Sequence, residues 1–210
     1  MNATAAAVTN TSFLAVFTAV FSGERIINLR VLPQLNSDIM PSSRKTHFLL
    51  LEALSLKNLP RTGWILRGAS RESVAEHVYG TAIIALALAR MEKLSAKDEA
   101  TLLRIALLHD LHEARIGDLV PSQKARIKPD EAKVEREMLS GTLFEKEITL
   151  LANKGKLFTL ANDADRLDML FRALENKKGG SARMQEFIDS ALRQVKSKSG
   201  KRLAKLALGK

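Results

Sequence analysis

From Lys45 onward, apolar residues recur at spacings of three and four, the repeat that gathers them on one face of an α-helix. The repeat is clearest in Phe48–Leu56, Val74–Met91, Leu102–Leu111, Leu157–Leu174 and Phe187–Val195. Ser95, followed three residues later by Asp98, predicts the start of a helix containing Leu102 to His112, because a serine there satisfies an N–H that has no partner inside the helix. Gly117 and then Pro121 end that run, and Gly179-Gly180 separates the last two substantial helices. No stretch alternates apolar and polar positions with β-branched residues over five or more places. The pattern predicts an all-α chain: one helical bundle of about six or seven helices across residues 45–195, without an internal repeat.

The two ends read differently from this body. Residues 1–44 are expected to be an extension. Its apolar stretch Phe13–Phe21 is shorter than the ~20 residues of a membrane span. Residues 1–12 hold no Lys or Arg of the kind that precedes a secretory signal. No membrane association is expected, and Met40 opens a more ordinary start. Residues 196–210 are expected to be a basic, solvated tail.

Composition narrows the field without naming a function. Hydrophobic residues make up 46% and charged ones 27%, which is the range of folded domains. The absence of cysteine excludes a disulfide framework, a thiolate zinc site and a cysteine nucleophile, and it suits a cytoplasmic location. The net charge is +10, and seven of those ten charges fall between Arg193 and Lys210, after the last acidic residue, Asp189. With one Trp, one Tyr and eight Phe, aromatic platforms for single-stranded nucleic acid are scarce, so nucleic acid is not the expected partner.

The candidate chemistry lies among four histidines, His47, His77, His109 and His112. His109 is followed directly by Asp110 near the end of an apolar helix (LLRIALLHDLHEARIGD). Buried side by side, the two groups lack a partner unless they converge on an ion. His77 lies in ESVAEHVYG, on the preceding helix. In ANDADRLDML, Asp165 and Asp168 share one face of a later helix, whereas Asp163 points elsewhere. Two imidazoles and two carboxylates from three helices make a mixed nitrogen and oxygen site. It suits Co²⁺, Mn²⁺, Mg²⁺, Fe²⁺ or Zn²⁺, and the ligands do not choose among them. By spacing alone, the same aspartates can instead form surface pairs with Arg166 and Arg172.

The order His77, His109-Asp110, Asp165 resembles the HD-domain metal-dependent phosphohydrolase superfamily. LPRTGWILRG, ESVAEHVYG, LLHDLHEARIGDLVP and ADRLDML are similar, more narrowly, to the HD-domain 5′-deoxynucleotidases, and the resemblance spans roughly residues 45–180. It implies an HD-domain bundle, usually a homodimer, that removes phosphate from deoxyribonucleoside 5′-monophosphates by attack of a metal-activated water. It also implies that His77, His109, Asp110 and Asp165 are metal ligands, that Glu113 is the catalytic glutamate and that Asp118 is the second acidic residue. Trp64 matches the tryptophan that packs on the sugar and disfavours a 2′-hydroxyl, with Arg61, three residues earlier, as a substrate contact. His112 is not a ligand of the family and reads as a supporting or surface group. Asp168 stands where this branch usually has glutamate and is expected to support Asp165.

Elementary chemistry agrees with that implication. A phosphomonoester dianion repels hydroxide, so its hydrolysis needs positive charge and a nucleophile at neutral pH, both of which a divalent ion provides. Glu113, four residues beyond His109 on one helix face, is placed to handle the proton of water. Asp118, just after the helix, is free to approach the leaving 5′-oxygen. Two other functions fit the residues: an HD phosphohydrolase for a triphosphate or alarmone, and a non-catalytic nucleotide- or metal-binding module. The RTGW segment and the complete set of acids and imidazoles favour the monophosphate enzyme.

Overall fold

Every regular element among the described residues, 41–209 of a computed structural model, is helical. In chain order they are α1 (Pro41–Ser55), α2 (Thr62–Ile65), α3 (Val74–Met91), α4 (Ala96–Leu108), α5 (Glu113–Ile116), α6 (Pro121–Ile127), α7 (Glu131–Leu139), α8 (Glu147–Ala152), α9 (Lys156–Lys178), α10 (Gln185–Gln194) and α11 (Lys198–Ala207). One 3₁₀ turn, Ala182–Met184, precedes α10. Seven of these helices have nine residues or more; five of them, α1, α3, α4, α9 and α10, carry the apolar repeat read in the sequence, and α7 and α11 were not among those segments. The helices under nine residues are too short for a repeat to show. The first 40 residues of the expected extension, Phe13–Phe21 included, lie outside the described residues; Pro41–Arg44 belong to α1.

Local chemistry sets the ends of the helices that matter for the site. The Ser73 hydroxyl accepts from the Glu76 N–H at 3.2 Å, and the Glu76 carboxylate accepts from the Ser73 N–H at 2.6 Å. This reciprocal cap opens α3, four residues before His77. Ser95 caps α4 in the same sense, accepting from the Asp98 N–H at 3.1 Å. Helix α4 does not run to His112. After Leu108 the N–H groups of Leu111, Glu113, Ala114 and Arg115 donate to carbonyls three residues back, at 3.0–3.2 Å. That tighter winding stacks residue i over i+3, which brings Glu113 into line with Asp110 rather than His109.

Helix α9 is the hub: it packs on α3, α4, α10 and α11, while α3 also packs on α4. Leu160, Leu167 and Leu170 of α9 are buried together with Leu88 of α3 and Leu102 of α4. Fully buried Ala85, Ala164 and Ala173 keep these helices close, since small side chains hold the axes near the short end of the usual 8–10 Å. The packing brings together the first turn of α3, the end of α4 and the middle of α9, which carry His77, His109 and Asp165.

The segment expected to be a basic tail is instead a packed helix. Ser199, Gly200 and Ala204 of α11 are buried, and Leu203, Ala207 and Leu208 pack against the core, while Lys198, Lys201, Arg202 and Lys205 face outward. The charge run hides this inner face because its contacting residues are mostly small. Buried Asp163 fastens the helix: its carboxylate accepts from the N–H groups of Lys196 at 2.8 Å and Ser197 at 2.7 Å. Hydrogen bonds to a buried charge contribute about 1.5–3 kcal/mol each. Asp163→Ala should therefore lower the unfolding free energy by about 3–6 kcal/mol, measured by urea denaturation.

Candidate active site

His77 is oriented from behind. Its Nδ1–H donates to Asp168 Oδ2 at 2.7 Å, which leaves Nε2 as an acceptor pointing the other way. His109 is set in the same tautomer by donating from Nδ1 to the Ala106 carbonyl at 2.8 Å. The rings lie 5.5 Å apart. Asp110 Oδ2 lies 3.6 Å from His77 Nε2 and 3.2 Å from His109 Nε2, and Asp165 Oδ1 is 3.3 Å from His77 Nε2. These are charge contacts without hydrogen-bond alignment, and both Nε2 atoms are buried with no hydrogen-bond partner among the described residues.

That observation is the test of fit for a metal. Two acceptor nitrogens with locked tautomers face carboxylates: His77, His109 and Asp165 lie close enough together to hold one divalent ion, and Asp110, which touches both imidazoles, adjoins that set. The electrostatics agree. Burial works against charging His109, but Asp110 and then Asp165 outweigh it and raise it to about 9. Burial also opposes ionisation of Asp165, yet its close contact with His77 and the charge of Arg166 hold it down to about 2. Asp110 is likewise lowered, against burial, mainly by His109. The cluster is therefore short of positive charge, a deficit that a cation makes good while displacing the imidazole protons.

Asp168 supports His77 rather than Asp165, and it does so through a gap in α3. A Cβ on Gly80 would overlap the Asp168 carboxylate, so the absence of a side chain there admits the hydrogen bond to His77. Gly80 lies three residues beyond His77 on the same face, a signal the sequence carries but the apolar pattern passes over. His112 is not a surface group. It is buried, with Nδ1 3.3 Å from Glu135 Oε1 and Nε2 3.8 Å from Glu131 Oε1 of α7.

The cluster opens into a cleft of about 600 Å³ that Arg61, Trp64, Glu113 and Asp118 also line. Glu113 is 3% exposed, and its Oε2 has no hydrogen-bond partner. Burial first, then the charges of Asp110 and Asp118, push its carboxyl up to about 9. A cation beside Asp110 would bring it back down. Arg61 Nη1 lies between Asp110 Oδ2 at 3.5 Å and Asp118 Oδ1 at 3.4 Å. Asp118 is pinned rather than free: it accepts from the Thr62 N–H at 2.5 Å, and its carbonyl accepts from the Thr62 hydroxyl at 2.7 Å. Trp64, 2% exposed, packs on Phe187 with ring centres 4.6 Å apart. Phe187 lines the cleft too, as do Arg166, which pairs with Asp165 at 3.5 Å, and Lys124 and Lys154, cations that nothing in the motifs singled out.

The chain belongs to the HD domain family, whose profile matches residues 53–207. The 5′-deoxynucleotidase HDDC2 of Bos taurus is 33% identical over 151 residues, 64% of this chain and 70% of that protein. The HDDC2 protein of Homo sapiens is 31% identical over 151 residues, with 64% and 71% covered. Among solved structures, the PH0347 protein from Pyrococcus horikoshii OT3 is similar at a TM-score of 0.64 and 28% identity, covering 78% of this chain and 96% of that one.

Two substitutions test the cluster by metal content rather than turnover. Asp165→Ala should lose most of its bound metal while remaining folded. Gly80→Ala should displace Asp168 from His77 and weaken metal affinity about 10–100-fold, the usual effect of losing the group that orients a ligating histidine. Elemental analysis and metal titration followed by calorimetry read both.

Proposed function

We propose that this chain is a metal-dependent 5′-deoxynucleotidase, a phosphoric monoester hydrolase that releases phosphate from deoxyribonucleoside 5′-monophosphates. The observation that carries the reading is one cleft faced by four kinds of group: unpartnered imidazoles, the unpartnered Glu113 carboxylate, the Arg61 guanidinium and the Trp64 indole. Its volume of about 600 Å³ suits a mononucleotide, within the 300–1,000 Å³ of small-molecule sites. The relatives named as 5′-deoxynucleotidases support the choice of substrate.

Each group has work that follows from its surroundings. When bound, a divalent ion supplies positive charge to the phosphate and a water acidic enough to act as nucleophile near neutral pH. Arg61, already half-neutralised by Asp110 and Asp118, offers its remaining donors to phosphate oxygens. Glu113 sits in line with Asp110; with a cation beside Asp110 its carboxyl would be ionised, and it is placed to take the proton of the attacking water. Asp118 keeps Arg61 and Thr62 in register through its contacts with both. That is a holding role for the residue expected to protonate the leaving oxygen. Trp64, immobile between Phe187 and its own hydrogen bond, forms a wall for the sugar.

Phosphate release across mono-, di- and triphosphates, with and without Co²⁺ or Mn²⁺, tests the assignment: activity should require metal and be confined to monophosphates. Release from triphosphates alone would move the chain to the other HD activity. Glu113→Gln should retain metal and substrate but lose ~10²-fold or more in kcat, the scale of a missing general base.

A homodimer is part of the same proposal. Leu50, Leu51 and Leu54 of α1 and Ile83 of α3 are about half exposed, and Tyr79 is 70% exposed. Apolar surface of this kind is what a second copy would cover. Light scattering on the eluting protein should give twice the chain mass; a single chain mass would refute it.

A further inference from the structure

The indole of Trp64 is held from outside the cleft. Its Nε1–H donates to Glu72 Oε2 at 2.5 Å, and the main-chain N–H of Arg61 donates to the carbonyl of the same Glu72 at 2.8 Å. One residue that does not line the cleft thus grips both ends of the segment Arg61–Trp64. Glu72 is tied in turn to α9. Its Oε1 lies 3.8 Å from Arg172 Nε, and Arg172 Nη2 donates to the Ser70 hydroxyl at 3.0 Å and the Arg71 carbonyl at 3.1 Å. The Ser70 hydroxyl donates to Asn176 Oδ1 at 2.5 Å. Arg172 and Asn176 follow Asp168 at intervals of one helical turn, on the helix that also supplies Asp165. The separation between the indole and the imidazole–carboxylate cluster is therefore set by one continuous set of contacts, Trp64 to Glu72 to Arg172 to α9.

A wall discriminates by shape only as far as it cannot move. An indole free to tilt admits one more hydroxyl, and one that is pinned does not. Phe187 packs on the Trp64 ring but supplies no directional bond, and the only such bond from the indole is to Glu72. We propose that Glu72 is the positioning residue that sets discrimination between deoxyribose and ribose, by holding the indole at a fixed distance from the site. The inference rests on the deoxynucleotidase reading above. It extends that reading to a residue that touches neither substrate nor metal. Glu72 is partly shielded, with its side chain 11% exposed, and its carboxyl is raised by burial, against which the Trp64 hydrogen bond works.

Trp64 is the only tryptophan in the chain, so its fluorescence reports this anchor without any turnover. In Glu72→Ala, the emission maximum should move to longer wavelength and acrylamide quenching should at least double. In Glu72→Gln, which keeps an acceptor oxygen, both should stay near the wild type. The second measurement is kcat/KM for dAMP over AMP. Exclusion of an added hydroxyl by shape is worth ~10²-fold. Glu72→Ala should cut that ratio about tenfold by raising kcat/KM for AMP, with kcat for dAMP little changed, and Glu72→Gln should restore it. Loosened fluorescence with an unchanged ratio would overturn the proposal, and so would an unchanged fluorescence. A wild-type ratio near one would defeat the deoxynucleotidase reading itself, a failure seen before any variant is made. If Glu72→Ala does not fold, Glu72→Asp, which withdraws the carboxylate by one methylene, is read by the same criteria.

Discussion

The contact between α3 and α9 at Gly80 governs the site. A hydrogen bond of 2.7 Å joins Asp168 to His77 across the two helices, and it exists because one of them has no side chain at the crossing. Any other residue there would push the carboxylate away. His77 would then be free to rotate or to change which nitrogen carries its proton. The small buried residues along the same pair of helices, Ala85, Ala164 and Ala173, extend that closeness into the core. The chemistry thus uses the same tight packing that stabilises the fold, and the two are difficult to alter separately.

Charge is the second constraint. The cluster assembles Asp110, Asp165 and Asp168 around two imidazoles, with Glu113 and Asp118 nearby. Arg61 is the guanidinium set between the two aspartates of the cleft mouth. Protons on the imidazoles or a divalent ion can balance the acids; apolar packing cannot. A phosphate dianion approaching this region meets a cleft whose lining also holds Lys124, Lys154 and Arg166, the last of them 3.5 Å from Asp165. Negative charge concentrated at the centre and positive charge around it suit a site that binds cation and anion in turn.

Much of this was legible before any coordinates, for reasons that differ by element. Val74–Met91 is helical over the same residues that carry its apolar repeat, because a long helix with one buried face displays that repeat without interruption. The Ser95 cap and the Gly179-Gly180 break are local chemistry and could be read directly. The α4 end was misplaced because its apolar spacing continues past Leu108 while the hydrogen bonding tightens, and periodicity does not distinguish the two windings. Helix α11 was taken for a solvated tail because four outward cations drown the signal of Ser199, Gly200 and Ala204. Asp165 and Asp168 were recognisable as a pair, but their division of labour was not. Which of two carboxylates meets a histidine from behind depends on a glycine on another helix. Glu72 opens the segment ESVAEHVYG, but its pairing with Trp64, eight residues away across an irregular turn, had no signal in the spacing.

Helix α9 carries four separate duties in ten residues: Asp163 holds α11, Asp165 faces the cluster, Asp168 orients His77 and Arg172 secures the Ser70–Glu72 loop. Each is assigned by direction around the helix axis, at about 100° per residue. A change of side chain removes one duty. A change of length is different in kind: one residue inserted between Asp163 and Arg172 turns everything beyond it by about 100° and misdirects every later group at once. Seven inserted residues nearly restore the direction but shift those groups by about 10 Å along the axis. This stretch is therefore a phase-locked segment, open to substitution and closed to insertion or deletion. Chains that share the site should align across it without a gap.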